Sequence, residues 1–290
     1  MSEVRGGTAQ EARSVPAVGG ERDGASVPIR SRRENQALRA WAPSLALLLV
    51  VLTAWETAPR VLGVKSFIFP PLTEVLAKFT DPLTVQLYLS NALVTLQEAL
   101  IGLAIGATLG IVSGFVLGQY LGVRRAFYPY IIALQSLPKV AVAPLFVIWF
   151  GFGLTPKVLV VVLITYFPVL VNTMSGVMGV DQSKIDLFRS LCASRIQTWR
   201  KLTFPSALPA IMAGLEVAGV MALLGAIVAE FVSAEAGLGL LLKQQQNNYD
   251  TAGVFAVLMI LSLIGVVLNQ TISFVRRRAL SWSVSSTGGK

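Results

Sequence analysis

The side chains that could do chemistry in this sequence are few, and they stand in apolar surroundings. Glu98, Lys139, Glu216 and Glu230 fall within or beside strongly hydrophobic segments. An ionisable group at membrane depth costs at least about 2.5 kcal/mol unless it finds water or a partner, so each is a candidate functional residue. For Glu98 and Glu230, which lie near the ends of their segments, the simpler expectation is that both reach the interface.

A polar, kinked point marks the third hydrophobic segment. Pro138 and Pro144 remove backbone donors there, and such breaks are tolerated at membrane depth where a helix lines a cavity or is covered by neighbours. The alternative for Lys139 is that its long stem snorkels to the interface or that its ammonium pairs with a glutamate. The residues predicted to line a translocation path are Gln135, Ser136, Pro138, Lys139 and Glu216.

Enzyme chemistry has little support in the sequence. The 290 residues include no histidine and a single cysteine, Cys192, which rules out an intrachain disulfide and effectively excludes Cys/His metal sites. No Gly-rich phosphate loop followed by Lys-Ser/Thr is present, so the chain is not expected to bind or hydrolyse ATP itself. An intramembrane enzyme remains a weak alternative, because no paired acids or Ser/Lys dyad stands out. We expect no catalytic residue, cofactor or metal.

Composition places the chain among membrane proteins. It is 54% hydrophobic and 13% charged, and the charged share is about half that of a usual soluble domain. Six segments approach the roughly 20 residues needed to cross a bilayer, and unpaired backbone is not tolerated in lipid. The sequence therefore predicts an all-α membrane protein with six transmembrane helices, at about 42–62, 88–118, 127–150, 156–178, 206–232 and 252–275.

The cations predict the orientation. The net charge of +9 is spread between the hydrophobic segments rather than along one basic stripe, so nucleic acid is not an expected partner. With both termini inside, fifteen cations near the segments are cytoplasmic and five are external, which favours this N-in, C-in orientation. The external five are Arg60, Lys65, Lys78, Lys157 and Lys243. We divide the chain into a disordered cytoplasmic tail at 1–40, a membrane domain at 41–280 and a short cytoplasmic tail at 281–290.

Glycines recur every four residues in the second segment, from Gly102 to Gly122. Residues at this spacing share one helix face, and such a face lets another helix approach closely in lipid. We expect the neighbour to be a helix of the same chain; the alternative is a seam between subunits. Outside the membrane, Leu72 to Phe79 is predicted as a short interfacial helix, and the GLGLLL stretch from Gly237 as re-entrant or interfacial.

The longest polar interruption of the second half, residues 181–205, carries five cations: Lys184, Arg189, Arg195, Arg200 and Lys201. Apolar residues recur within it at helical spacing. An amphipathic basic loop between two membrane segments must present a face to a partner or to the headgroups. The predicted orientation places the loop in the cytoplasm.

This loop resembles that of the permease subunits of ATP-binding-cassette (ABC) importers. Their pattern is Glu-Ala-Ala, three residues, Gly, nine residues, Ile, one residue and Leu-Pro. Asp186 stands at the Glu, Leu187 and Phe188 at the Ala-Ala, and Cys192 at the Gly; Leu202 stands at the Ile, and Phe204 and Pro205 at the Leu-Pro. The spacing is kept, although only the proline is identical. The segments FPPLTEVL, SLPKVAVAPLFVIWFGFG, SALPAIMAGLEVAG and AEFVSAEAGLG are similar to the nitrate/sulfonate/taurine-type permeases.

The resemblance covers residues 42–280 and implies a type I importer permease in a bacterial inner membrane. It implies a homodimer in membrane lipid, two ABC ATPase subunits that bind the ATP, and an extracytoplasmic substrate-binding protein. The loop at 181–205, called the coupling loop below, would dock on the ATPase. The docking residues would be Asp186, Leu187, Phe188, Arg189, Leu191, Cys192, Arg195, Ile196, Trp199, Leu202, Phe204 and Pro205, with Ile185 adding to the apolar contact.

The substrate and the class of transporter each leave an alternative. The resemblance suggests a small nutrient, either of the nitrate, sulfonate and taurine group or a thiamine- or riboflavin-type heterocycle. A stand-alone secondary transporter is the alternative function. Such proteins often contain internal repeats with paired broken helices, whereas this sequence has one clearly broken segment and no similarity between its halves.

Overall fold

The computed structural model describes residues 30–233 and 235–280, with side chains from residue 43 onwards. These residues form helices and turns, and no strand occurs among them. The proposed tails at 1–29 and 281–290 lie outside the described residues. The first helix begins at Arg30, so residues 30–40 are helical rather than disordered. The Arg, Glu, Gln, Leu and Ala residues there are good helix formers, which accounts for the earlier start.

Eleven α-helices are described between Arg30 and Ala279. A 3₁₀ turn, Lys139–Val142, precedes the fifth, and a π turn, Trp199–Thr203, precedes the ninth. The helices are α1 Arg30–Val61, α2 Leu72–Ala77, α3 Pro82–Gln119, α4 Leu121–Ser136, α5 Ala143–Phe150, α6 Leu154–Met178, α7 Gln182–Ser190, α8 Arg195–Thr198, α9 Phe204–Ser233, α10 Leu238–Asn247 and α11 Thr251–Ala279. Among the described residues, 30–51 form one unit, and those from Leu52 to Leu280 form the packed helical body.

Five of the six predicted spans are confirmed as single stretches, and a bent pair of helices makes the sixth when it is counted as one span. Five single stretches are long and apolar enough to cross a membrane: Pro43–Val61, Pro82–Gln119, Leu154–Met178, Arg195–Ser233 and Thr251–Ala279. The sixth span is α4 followed by Lys139–Phe150, which are bent by 84° at their junction. Leu137 has extended backbone angles, as expected for a residue before a proline. Pro138 thus ends α4, which is the physical cause of the bend.

The glycine stripe of α3 packs against α6 within the same chain. A Cβ atom added at Gly106 would lie 2.2 Å from Thr165 Oγ1, and one added at Gly102 would lie 2.4 Å from Val161 Cβ. Side chains at these positions would force the two helices apart, so the glycines permit the close contact. The expected intra-chain packing is confirmed from Gly102 to Gly118, and a subunit seam along these glycines is wrong.

Small residues also set the packing of α9 beside these two helices. Ala218, Ala222 and Ala226 are fully buried and contact Ala99 and Val161. Their spacing of four residues places one short-side-chain face of α9 against α3 and α6. These three helices form the centre of the body, which carries the coupling loop at one end and α10 at the other.

The short helix predicted at Leu72 to Phe79 is present as α2, and most of the GLGLLL stretch lies in the first half of α10. α2 is tied to the start of α11 by an ion pair of 2.6 Å between Lys78 and Asp250, and the Trp55 indole donates to the Pro70 carbonyl at 3.1 Å. α10 packs through Leu238, Leu241 and Leu242, which are buried. Its polar second half is exposed at Lys243, Gln244, Gln246 and Asn247.

Candidate functional site

The coupling loop begins with a capped helix. Asp181 accepts hydrogen bonds from the Ser183 hydroxyl at 2.5 Å and from the Ser183 amide at 3.0 Å, and so caps α7. These bonds, the hydroxyl's first, hold the pKa of the Asp181 carboxyl below its usual value. The carboxylate therefore stays charged at neutral pH, where it also complements the positive end of the helix.

Cys192 ends this helix in an unusual conformation. Its φ of 51° lies in the left-handed region, which residues other than glycine seldom adopt. The Cys192 amide donates to the Arg189 carbonyl at 2.9 Å, and the Ala193 amide donates to the Phe188 carbonyl at 3.0 Å. Such bonds close many helices at a glycine. The turn implied by the glycine of the family pattern is therefore present, although the glycine itself is not.

A second capped helix follows the turn. The Gln197 amide donates to Ser194 Oγ at 3.2 Å, and the Ser194 amide donates to Gln197 Oε1 at 2.8 Å, which completes a reciprocal cap for α8. α8, the π turn and α9 continue as one apolar stretch from Arg195 to Ser233. The second half of the coupling loop is thus the direct extension of a membrane span.

Trp199 anchors the loop to the helical body. Its ring centroid lies 5.8 Å from that of Phe115 on α3 and 5.6 Å from that of Phe204. Phe115 is buried, and Leu202 and Thr203 beside the cluster are buried as well. Although Trp199 was predicted to continue the docking surface, its ring contacts α3 of its own chain.

Trp199 is itself 37% exposed, and the most exposed apolar side chains of the loop are those of three other residues. Leu187 is 56% exposed, Leu191 is 68% exposed and Ile196 is 70% exposed, whereas Ile185 and Phe188 are half-buried. Leu187 and Leu191 are four residues apart and so share one face of α7. The structure therefore leaves Leu187, Leu191 and Ile196 free to contact a partner and turns Ile185 and Phe188 towards the chain.

The kink between α4 and the 3₁₀ turn exposes the predicted polar residues. Gln135, Ser136 and Pro138 are exposed, and Lys139 is half-buried. The Lys139 ammonium donates to the Gln135 carbonyl at 2.9 Å and lies 5.1 Å from the centroid of the Phe167 ring. Within the described part of the chain Lys139 has no carboxylate partner. Its charge is held by a carbonyl freed at the bend and by an aromatic face.

Glu216, the fifth predicted path residue, is engaged elsewhere. Its carboxylate accepts from the Arg276 guanidinium at 2.8 Å and from the Ser273 hydroxyl at 2.9 Å. Both partners lie on α11. The structure thus brings Gln135, Ser136, Pro138 and Lys139 together at the kink and places Glu216 in a separate contact between α9 and α11.

A buried charged pair, which the sequence reasoning missed, lies at the opposite end of the body from the coupling loop. The Lys157 ammonium of α6 binds the Glu98 carboxylate of α3, and the two residues are 5% and 1% exposed. The second carboxylate oxygen of Glu98 has no hydrogen-bond partner. The expectation that Glu98 reaches the interface is wrong, and Lys157 is not the surface cation that the charge count assumed.

Side chains of α3 and α9 hold the N-terminus of α10. Asn91 accepts from the Gly237 amide at 2.7 Å, Thr95 accepts from the Leu238 amide at 2.8 Å, and the Glu230 carboxylate accepts from the Gly239 amide. Glu230 also accepts from the Thr95 hydroxyl at 2.7 Å and is 1% exposed. These bonds satisfy helix-end donors that would otherwise be buried without partners. Glu230, like Glu98, therefore does not reach the interface.

The sequence did carry a signal for this buried cluster. Asn91, Thr95 and Glu98 are four and three residues apart, which puts them on one face of α3. A polar face inside an apolar span indicates polar partners on neighbouring helices. Gly237 and Gly239 belong to the same signal. Both positions require glycine, because a Cβ at either would lie less than 3 Å from the Glu230 carboxylate.

Comparisons with known proteins agree on one family. The family model described as binding-protein-dependent transport system inner membrane component matches residues 82–280. The formylaminopyrimidine transport permease protein ThiX of Halalkalibacterium halodurans is 34% identical over 251 residues, which cover 87% of this chain and 98% of that protein. The riboflavin transport system permease protein RibX of Chloroflexus aurantiacus is 33% identical over 246 residues, which cover 84% and 92% of the two chains.

A solved structure shares the fold. An inward-facing conformation of the MetNI methionine ABC transporter superposes with a TM-score of 0.61 at 18% sequence identity. The superposition covers 69% of this chain and 99% of that one. At this identity the likeness concerns the arrangement of the helices.

Proposed function

Because this chain belongs to the inner membrane components of binding-protein-dependent transport systems, and so is a permease subunit of an ABC importer, we propose that its coupling loop receives the ATPase subunit. The observation that carries this proposal is the exposed apolar set Leu187, Leu191 and Ile196 on a loop that the charge distribution places in the cytoplasm. Large apolar side chains that stay in water beside a membrane suit a protein partner.

The charges around this set favour the same partner. Arg200 and Lys201 are exposed and make no ion pair within the described residues. Cations at the rim of an apolar contact attract and orient an acidic surface more than they tighten it. Trp199 fixes the distance between loop and body, so a movement imposed on Leu187 and Leu191 passes through α8 directly into α9.

The translocation path lies at the kink, and two copies of the chain enclose it. Gln135 and Ser136 are exposed although they lie in the middle of a span, and polar groups at that depth need water or protein around them. A second copy that faces the first across a wet path supplies both. Lys139, which has no carboxylate partner among the described residues, then lies at the wall of this path.

The substrate is a small heterocyclic nutrient. The two relatives above carry formylaminopyrimidine and riboflavin in their names, and both are planar heterocycles. The kink offers groups that suit such a molecule: the Gln135 amide, the Ser136 hydroxyl and the Lys139 ammonium over the Phe167 ring. An extracytoplasmic binding protein delivers the substrate to the path.

Charge placed on the coupling helix tests this assignment. In the double variant Leu187→Asp, Leu191→Asp we expect at least about tenfold less ATPase subunit to co-purify in mild detergent, because two exposed anchors become charged. ATP-dependent uptake into proteoliposomes should fall with it, measured with formylaminopyrimidine and riboflavin as candidate substrates.

A matched control comes from the other side of the membrane. Leu62 is 74% exposed and is placed outside by the charge distribution, so Leu62→Asp should retain the ATPase subunit. Normal ATPase recovery with the double variant would show that the loop is not the docking surface. If uptake by the wild type were unchanged when ATP is depleted, the result would instead favour a stand-alone transporter.

A further inference from the structure

A cavity of about 570 Å³ lies between the coupling loop and the cytoplasmic ends of α3 and α6. Its volume falls within the range of about 300–1,000 Å³ that is usual for small-ligand sites. The apolar part of its wall includes Val177 and Ile185. The polar part consists of Gln119, Tyr120, Arg189, Arg195, Thr198 and Thr203.

Two arginines from different helices line this cavity. Arg189 comes from α7 and Arg195 from α8, and no acidic residue is among the lining residues. Arg189 pairs with Asp186 of its own helix at 3.1 Å, but both side chains of that pair are largely exposed and the contact is weak. Arg195 makes no ion pair within the described part of the chain. Neither arginine has an acidic partner within the cavity lining.

The polar lining matches one kind of anion. Guanidinium groups bind phosphate oxygens with paired hydrogen bonds. Gln119 and Tyr120 belong to the same lining, and their side chains can act as neutral donors. We propose that this cavity binds a phosphate group between Arg189 and Arg195. The cytoplasmic leaflet supplies such a group on its anionic phospholipids, and the cytosol supplies it as free phosphate.

A bound phosphate has a mechanical consequence for the loop. It ties α7 to α8 across the Cys192 turn, and both helices to the end of α3. Leu187 and Leu191 then follow α9 more closely than the Trp199 contact alone allows. The phosphate site therefore sets how firmly the coupling loop follows the ATPase subunit when that subunit moves. This property is separate from the docking of the ATPase subunit on the loop.

Thermal unfolding of the full chain, purified and stripped of lipid in detergent, tests the site. Short-chain phosphatidylglycerol, inorganic phosphate and short-chain phosphatidylcholine are titrated separately. Arg195→Gln should raise the apparent dissociation constant of the stabilising anion by about tenfold or more, because a charged hydrogen-bond donor is lost. Arg200→Gln removes the same charge from the same loop, outside the cavity lining, and should leave the constant unchanged.

The titrations also identify the source of the phosphate. Stabilisation by phosphatidylglycerol alone means a lipid headgroup, and stabilisation by inorganic phosphate as well means that the free ion suffices. The proposal is overturned if neither anion stabilises the protein or if phosphatidylcholine is as effective as phosphatidylglycerol. Equal weakening by Arg195→Gln and Arg200→Gln would also overturn it, because that result reflects the net charge of the loop.

Discussion

Cys192 occupies a backbone position that favours glycine. Its left-handed φ places Cβ close to the following carbonyl, at a cost of about 1–2 kcal/mol. The hydrogen bonds from the Cys192 and Ala193 amides keep the turn in place despite that cost. The strain is local, and the turn sets the angle between α7 and α8, which carry the exposed apolar side chains.

Removing this side chain should stabilise the turn. We expect Cys192→Gly to stabilise the coupling loop by about 1 kcal/mol, which is the strain relieved less the extra flexibility of glycine in the unfolded loop. Slower trypsin cleavage at Lys184 and Arg195 would measure the effect. Ala193→Gly is the control: Ala193 has no positive φ, so glycine there should speed cleavage. Faster cleavage in Cys192→Gly would contradict the argument.

The spacing of the family pattern placed Cys192 at the glycine position of the loop. It did not predict which apolar side chains of the loop are exposed. Helical periodicity places Ile185, Phe188 and Leu191 in a similar apolar pattern, whereas only Leu191 of the three is largely exposed. Trp199 contacts Phe115, which lies far away in the sequence. Such long-range contacts determine which apolar face packs against the chain's own helices. The periodicity of the sequence carries no information about them.

At the scale of helices, α3 carries two different faces. Its glycines contact α6, while Asn91, Thr95 and Glu98 contact α6, α9 and the start of α10. Both faces follow from spacings of three or four residues. The glycine face was predictable, because a stripe of glycines on a membrane helix commonly permits the close approach of another helix. The second was missed although its spacing was visible, because each of its polar residues alone is also compatible with an interface.

The Glu98–Lys157 pair should behave as a buried ion pair. Lys157→Met leaves the Glu98 carboxylate without its partner, and we expect a loss of about 3–5 kcal/mol in the free energy of unfolding. The double variant Lys157→Met, Glu98→Met should recover most of that loss, since both members of the pair are gone and the Glu230 carboxylate keeps its hydrogen bonds from Thr95 and Gly239. Thermal unfolding in detergent measures both.

An exposed pair provides the comparison. Arg189→Met breaks the exposed contact with Asp186 and should change stability by less than about 1 kcal/mol. If Lys157→Met were as mild as Arg189→Met even at high pH, where an unpaired carboxyl group does not become neutral by taking up a proton, the Glu98 carboxylate would have to reach water. The interface position expected from the sequence would then be right after all.

The whole molecule shows where sequence reasoning is strong. Span number follows from hydrophobicity and length, which the bilayer dictates, and the bend follows from Pro138. The helical residues before the first span were not predicted, because polar residues such as Arg33 and Glu34 suit a helix as well as a tail. What covers the exposed kink depends on a second chain. The sequence of one chain contains little information about how two copies contact each other.

Two facing copies should bring their kinks within reach of a cross-link. Cys192 is the only cysteine, so a Cys192→Ser background that carries Ser136→Cys contains one thiol per chain. If the kinks line one path, mild oxidation of native membranes should yield a disulfide-linked dimer on a non-reducing gel, because the two thiols can approach to bonding distance. The same background with Leu263→Cys is the control; Leu263 is 64% exposed on α11, a helix not assigned to the path. A cross-linked band with Leu263→Cys and none with Ser136→Cys would place the subunit contact on α11 and leave the polar kink without the cover that its depth in the membrane requires.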